Sequence, residues 1–426
     1  MTNTPSFYLR GQRLATVFAC AFGLAHAAQG QDALRAAVAG DQSYQARNSE
    51  TYVPEQHRLH AGPVEFQAGV SYTLDWNDNI FLRPDNQEDD FIHRPQFDLR
   101  ALWQVTEQSR IGFGAGIGYQ AYMDHPDLGG LVVTPDSEFA WDIRVKDFVF
   151  TLYDRVSYSQ DVLSQGTISS GTAEFSRVEN RAGLRVRWYP SRYVFELGYG
   201  HFNFFSVSDS STNFSHLDRS AEELFGRAGV RFAEVTMAGI EASATFTDYE
   251  SPVQSDNVSV SVGPFVEWQT TEAFSLSLRG GLVFSSFDSS LSRPTDEDLN
   301  SYFVGLGATH QLTDHIAHGL SLSRSVQQGL NLGSDHIEQL STRYFVNWGF
   351  HRSASISANC FYENNNEPQG GVDNRSDRFG AGLGLSLSPL DHLQVGLTYN
   401  VTTRNSDLPA NDYDQNSISA SISYQF

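Results

Sequence analysis

Asn416-Ser417-Ile418-Ser419-Ala420-Ser421-Ile422-Ser423-Tyr424-Gln425-Phe426 closes the sequence. Successive side chains of a β-strand point to opposite faces. Ile418, Ala420, Ile422, Tyr424 and Phe426 therefore share one face, and Ser417, Ser419, Ser421, Ser423 and Gln425 share the other. A wholly apolar face backed by a wholly polar one, ending in an aromatic ring, suits a wall between lipid and water. Lipid-facing and lumen-facing residues alternate in this way in a membrane-spanning β-barrel.

The same alternation recurs from Val64 onward. Short turns are predicted near Thr106–Ser109, Lys146–Asp147, Pro190–Arg192, Ala233–Glu234, Thr270–Glu272, Thr313–Asp314, Gly349–Arg352 and Pro389–Asp391. Longer polar loops are predicted near 77–90, 124–135, 161–172, 206–217, 249–255, 287–298, 327–335, 364–373 and 404–412. Eight turns and nine loops give about eighteen strands, and an even number with both termini on the short-turn side is the pattern of a bacterial outer-membrane barrel. The strand boundaries are least distinct over 134–160. Trp103, Trp188, Phe232, Trp268, Trp348 and Phe426 end descending strands on the apolar face, as an interfacial aromatic girdle requires. The fold expected is all-β: a transmembrane antiparallel up-and-down barrel of residues 63–426. A soluble sandwich, propeller or solenoid would share the alternation. It would not place aromatics at one end of every second strand, and no short fixed repeat is present.

Outside the N-terminus no apolar run is long enough for a spanning helix. Arg10 and Arg13 precede an apolar stretch from Leu14 to Ala25, and Ala25-His26-Ala27 offers a cleavage site, so residues 1–27 read as a signal peptide. Residues 28–62 read as a periplasmic lead-in and linker. Of the two cysteines, only Cys360 would remain after cleavage, which excludes an intrachain disulfide. The net charge is -22, yet the acidic residues gather in connectors such as Glu88-Asp89-Asp90 and Asp296-Glu297-Asp298. Lys146 is the only lysine. Nucleic acid is excluded as a partner by this acidity.

Anchoring each strand on its apolar face sorts its polar residues inward. Arg181, Arg185 and Arg187 point to the lumen from one strand and Glu196 from the next. Arg227 and Arg231 follow, with Glu241 expected beside Arg227 across the turn. Arg100, Arg144, Arg279, Arg343 and Arg378 also face inward, as do Asp98, Asp142, Glu267 and Glu363. An arginine-rich lumen biases a pore toward anions, and opposed carboxylates hold the guanidiniums in place. The same charges, paired across strands, would also stiffen the wall. Gly112, Gly114, Gly116 and Gly118, with Gly305, Gly307, Gly380, Gly382 and Gly384, leave inward faces bare. Bare faces give room, or let a loop approach the wall.

No catalytic set emerges: there is no nucleophile elbow, P-loop or dinucleotide fingerprint. No cofactor is expected. His310, His315 and His318 flank a short turn and are read as facing different ways, without a further ligand to complete a zinc site. Asp75-Trp76-Asn77-Asp78-Asn79 begins like a calcium loop, but Ile80 stands where the turn glycine should be and Asn86 where the bidentate glutamate should be. A loose divalent site at Asp75, Asn77, Asp78 and Asn79 is the weaker reading.

Val64–Phe81, with its Asp78-Asn79-Ile80-Phe81 segment followed by Asp89-Asp90-Phe91-Ile92, resembles the opening of the beta-barrel porin 2 family. The resemblance is specific to the first hairpin. It implies an outer-membrane barrel, with exopolysaccharide export among the functions of the family, and it carries no catalytic residues. The expected function is passage of hydrophilic solutes, saccharides or a secreted polysaccharide among them, through a barrel set in outer-membrane lipid and lipopolysaccharide. The alternative is a non-conducting surface protein whose acidic loops bind a partner.

Overall fold

A computed structural model describes residues 59–161, 174–207, 214–233, 236–271, 273–369 and 372–426. The expected signal peptide, the lead-in up to residue 58, and the loop segments 162–173 and 208–213 lie outside the described residues.

The strands are β1 (Leu59–Ala61), β2 (Val64–Asn77), β3 (Asp90–Thr106), β4 (Ser109–Tyr122), β5 (Gly130–Val133), β6 (Glu138–Val145) and β7 (Phe148–Asp161). They continue with β8 (Glu174–Trp188), β9 (Tyr193–Ser206), β10 (Arg219–Ala233), β11 (Thr236–Tyr249), β12 (Asn257–Thr271), β13 (Phe274–Phe287) and β14 (Glu297–Thr313). The last are β15 (Ile316–Gln328), β16 (His336–His351), β17 (Ala354–Gln369), β18 (Val372–Leu390), β19 (Leu393–Ser406) and β20 (Tyr413–Gln425). Each pairs antiparallel with its neighbours. The circle closes where β2 pairs with β20, from Gly69↔Gln425 to Asn77↔Ser417. β1 folds back on the start of β2, and β5 and β6 share one place between β4 and β7. The result is an 18-strand closed barrel. No helix among the described residues is long and apolar enough to cross a membrane.

Burial runs opposite to that of a soluble protein. Leu197, Ile240, Leu282, Phe284, Leu383 and Leu397 are exposed, while Arg187, Glu196, Arg227, Glu241, Glu363 and Arg404 are buried. Only an apolar solvent outside makes that arrangement stable, so the wall spans a membrane. A closed sheet satisfies its backbone hydrogen bonds without water, as hydrocarbon demands. Trp103, Trp188, Phe232, Trp268, Trp348 and Phe426 are all exposed at the short-turn end. Nearer the long-loop end a second set of outward rings is anchored by polar partners. Tyr199 donates to Glu222, Tyr362 to Asp377, Tyr399 to Asn416, and Trp76 to Asp89. The two aromatic rows bracket the apolar band. A barrel of this architecture is an outer-membrane protein.

The indistinct stretch 134–160 has a structural cause. The segment between β5 and β6 bulges inward over the glycines of β4, where Thr134 donates its backbone N–H to Gly116 at 2.9 Å. The Ser137 hydroxyl also meets the Gly116 backbone. Other inward glycines are covered rather than bare: the Phe361 ring lies on Gly380 and the Arg279 stem on Gly305. Of the long loop expected at 364–373, the described residues 364–369 and 372–373 are strand. β17 and β18 pair out to Gln369↔Val372, because beyond the hydrocarbon a hairpin needs no apolar face. His310 and His318 are direct cross-strand partners with ring nitrogens 3.1 Å apart, so these two face the same way.

Candidate functional site

The lumen is built from the polar faces that period two turns inward. β8 contributes Arg177, Glu179, Arg181, Arg185 and Arg187; β9 contributes Glu196; β10 contributes Arg219, Glu223, Arg227 and Arg231. Seven arginines thus face three glutamates over the height of three adjacent strands.

Pairing register fixes how these charges meet. Arg187 lies opposite Glu196, Glu196 opposite Arg227, and Arg227 opposite Glu241, a row of alternating sign across four strands. Glu196 Oε1 serves two guanidiniums, Arg185 Nε at 3.1 Å and Arg187 Nε at 3.3 Å. Glu241 lies 3.9 Å from both Arg227 and Arg279. Arg227 also bonds Glu267, and its guanidinium sits 3.6 Å above the Phe265 ring centre. Farther round, Glu363 is shared by Arg343 at 3.0 Å and Arg378 at 2.6 Å, with the Phe361 ring in contact with both cations. A buried carboxylate between two guanidiniums is fixed in place and leaves positive charge over.

Burial divides the candidates. Arg185, Arg187, Arg227 and Arg378 lie flat against the wall with their carboxylates, each under 10% exposed. Arg100, Arg144 and Arg231 are exposed, and Arg181, Arg279 and Arg343 are half-buried. Arg100 pairs with Asp136 of the inward bulge at 3.6 Å, and Arg181 with Glu223 at 3.0 Å. Among the described residues Arg144 and Arg231 have no ion pair; Arg231 stacks on Tyr189 at 5.5 Å. Parity read slightly farther along β8 and β10 would also have found Arg177, Arg219 and Glu223, which lie on the same faces.

The Asp75-to-Asn79 segment is taken up elsewhere. Asp75 pairs with Arg94 at 2.7 Å. The Asn77 side-chain oxygen Oδ1 accepts from Asn79 N and Gln415 Nε2. Asp78 accepts from the backbone and side chain of Asn416, both at 2.6 Å. Asn79 donates to the Arg83 and Asp414 carbonyls. These residues stitch the first strand to the last.

Above the lumen the long loops meet. Leu82, Phe175, Phe204, Phe214, Leu217, Leu330, Ile337 and Tyr413, from β8, β9, β16, β20 and three loops, form one buried apolar cluster. The 329–335 loop reaches it from the other side of the mouth. Its Leu330 and Asn331 backbone N–H groups donate to Glu367 of β17 at 3.1 and 3.0 Å. Gln254, from the loop before β12, holds Ser334 O and Gly333 N on the opposite flank. None of this loop traffic was readable from the sequence, since loop polarity carries no direction.

No protein-family model and no curated protein matches the chain. Solved structures do. The chain is similar to OpdK of Pseudomonas aeruginosa, crystallised with vanillate, at 11% identity and a TM-score of 0.50, covering 85% of this chain and 99% of that one. It is also similar to a BenF-like porin from Pseudomonas fluorescens Pf-5, at 13% identity and a TM-score of 0.51, covering 86% and 99%. At such identities the likeness establishes the fold: the chain has the architecture of the outer-membrane porins.

Proposed function

We propose that the chain is an outer-membrane channel for small hydrophilic solutes, with a preference for anions. The observation that carries this reading is the strip of seven arginines and three glutamates on the inner faces of β8, β9 and β10. In a narrow, low-dielectric passage an excess of fixed positive charge concentrates anions and repels cations. The exposed Arg100, Arg144 and Arg231 and the half-buried Arg181, Arg279 and Arg343 meet the solute. Arg185, Arg187, Arg227 and Arg378 act through their field and hold the wall, with Glu196 and Glu241 as their counterions. OpdK was crystallised with vanillate, a small carboxylate, and a solute of that chemistry suits an arginine-lined strip better than a bulky one. Neutral and acidic sugars fit the same passage. An exported polysaccharide would need an open bore, whereas loops joined by a buried apolar cluster cross this mouth. That is why the small-solute reading is preferred.

The test is the reversal potential in planar bilayers under a salt gradient. Arg181→Gln with Arg231→Gln removes two lumen charges without touching the buried row, and should move selectivity toward cations. Unchanged reversal potentials would reduce the arginines to wall struts. The loop cluster also favours a second reading, a closed surface protein. Persistent silence of the folded wild type in the bilayer would establish that one.

A further inference from the structure

We propose that the tip of the β15–β16 hairpin is the gate, and that it opens by zipping back into two seams of the wall it has left; this rests on the channel reading. The seam between β14 and β15 is paired only from Thr313↔Ile316 up to Val304↔Arg324. Above it both strands continue: β14 runs on to Glu297 along β13, and β15 to Gln328 along β16. The established register would next join Phe303 to Ser325, Tyr302 to Val326, Ser301 to Gln327 and Asn300 to Gln328. No strand pairing joins those four rungs, and the Tyr302 carbonyl on one of them is capped instead by the Arg324 guanidinium. The other side of the hairpin is open too. β16 leaves β17 after Glu338↔Asn366, so Ile337 and Glu367 are not joined although both lie in strands.

The hairpin tip is displaced inward. Gln328 exchanges amide hydrogen bonds of 3.0 and 3.1 Å with Asn257 of β12, and Tyr249 of β11 donates to it. To reach them it passes inside β13 and β14. His336 stacks on Phe287, an inner-face residue of β13, with ring centres 5.6 Å apart. Beyond Gln328 the loop is held by Glu367, Gln254 and the buried Leu330. Arg324 bridges the base of the gap, bonding Ser301 Oγ at 3.0 Å and Glu338 at 2.7 Å.

Two features say that the vacated place belongs to the hairpin. First, β15 keeps the wall code in part beside the gap: Leu320, Leu322 and Val326 fall on the outward face and Ser321, Ser323, Ser325 and Gln327 on the inward one, with Arg324 and Gln328 the two polar exceptions on the outward side. A segment meant only as a loop has no need of that alternation. Second, unpaired strand edges are costly and are normally covered. Zipping the hairpin in would supply backbone partners to both edges at once. It would also withdraw the 329–335 loop from the mouth. The inward state is balanced by the Glu367 and Gln254 hydrogen bonds and the burial of Leu330, so two discrete arrangements compete, as a gate requires.

The test uses the full barrel in a Cys360→Ala background, with Ser301→Cys and Gln327→Cys on the facing vacant rung. Oxidation in membranes should form the disulfide and lock the channel in its high-conductance state, and reduction should reverse it. Glu367→Gln, which keeps the shape but weakens the latch, should raise the open-to-closed ratio by about tenfold, the loss expected for charge-assisted hydrogen bonds. Ala308→Cys with Leu320→Cys, on a rung already paired, reports that the barrel is folded and the oxidant works. Failure of the vacant-rung pair to cross-link while that control does, or cross-linking that leaves conductance unchanged, overturns the gate. These readouts are amplitudes and cross-links, not reversal potentials, so a loss of anion preference would sink the function proposed above and leave the gate standing.

Discussion

His125 shows how one side chain couples two loops. The buried Asp90 carboxylate accepts the backbone N–H groups of Met123, Asp124 and His125 and also His125 Nδ1, the last at 2.8 Å. The other ring nitrogen lies 3.0 Å from Glu88 Oε2, which in turn is tied to Arg83. With a carboxylate at each nitrogen, only the imidazolium can donate to both. The hydrogen bond to Asp90 raises the His125 pKa above its ordinary value; burial opposes the rise and Glu88 adds to it. A raised pKa means that the protonated link is fully present below the ordinary histidine range and is lost as pH climbs through the raised value. The contact between the 78–89 and 123–129 loops should therefore weaken from about pH 6.5 upward. Hydrogen exchange of the Met123–His125 amides, corrected for intrinsic rate, should show protection falling over that interval, and His125→Gln should abolish the pH dependence. Identical profiles would refute the coupling. At this scale the sequence was legible wherever parity decides: the inward set of each strand follows from its apolar face. Across a short turn the partner was legible too, as with Glu241 beside Arg227; elsewhere which carboxylate serves which guanidinium was not, because Glu196 and Glu363 each answer to two arginines through register and rotamer.

At the scale of elements, the strand that resisted reading is the one that the fold breaks. β5 and β6 occupy one wall position, and the turn between them enters the lumen against Gly114 and Gly116. A Cβ on Gly116 would overlap the Thr134 side chain and come within 2.7 Å of Asp98 Oδ1; one on Gly114 would stand 2.8 Å from the Asp136 carbonyl. Gly116→Val should therefore expel the bulge and destabilise the barrel by roughly 1–3 kcal/mol, the usual cost of overpacking. Gly226 has no atom within 4 Å of the added carbon, so Gly226→Ala should be tolerated. Urea midpoints in micelles compare the two, and equal shifts would mean that the bulge does not depend on the glycine. Glycine spacing signalled that something approaches this face. It could not say that the visitor is the neighbouring strand itself, since an interrupted alternation looks like loop. The 364–373 segment misled in the opposite sense, because strands that rise out of hydrocarbon lose the alternation that identifies them.

For the whole molecule the decisive question is closure, because a barrel keeps no edge only if its first and last strands find each other. Here the first and last strands of the barrel wall meet at both ends of their seam. The Phe426 backbone N–H donates to Ala68 O at 2.8 Å on the short-turn side. On the long-loop side the Asn77-to-Asn79 corner locks onto Asp414, Gln415 and Asn416. The residues that looked like the start of a calcium loop therefore serve the seam: short polar side chains with several hydrogen-bonding atoms suit both tasks, and spacing alone does not separate them. Asn79 is completely buried, and its amide donates to Arg83 O at 2.8 Å and Asp414 O at 2.9 Å while its own backbone N–H is held by Asn77 at 3.0 Å. Replacing it with alanine takes the donor from two partly buried carbonyls and leaves a hole at a fully buried position, a loss of about 1 kcal/mol for each hydrogen bond. Asn79→Ala should thus lower the temperature at which the folded, fast-migrating band converts to the unfolded one on gels. Asn77→Ala added to it should cost less than its effect alone, because the two side chains serve one corner. An equal change from removing an outward polar group away from the seam, such as Asp154→Ala, would show that the corner has no special part in joining the first strand to the last.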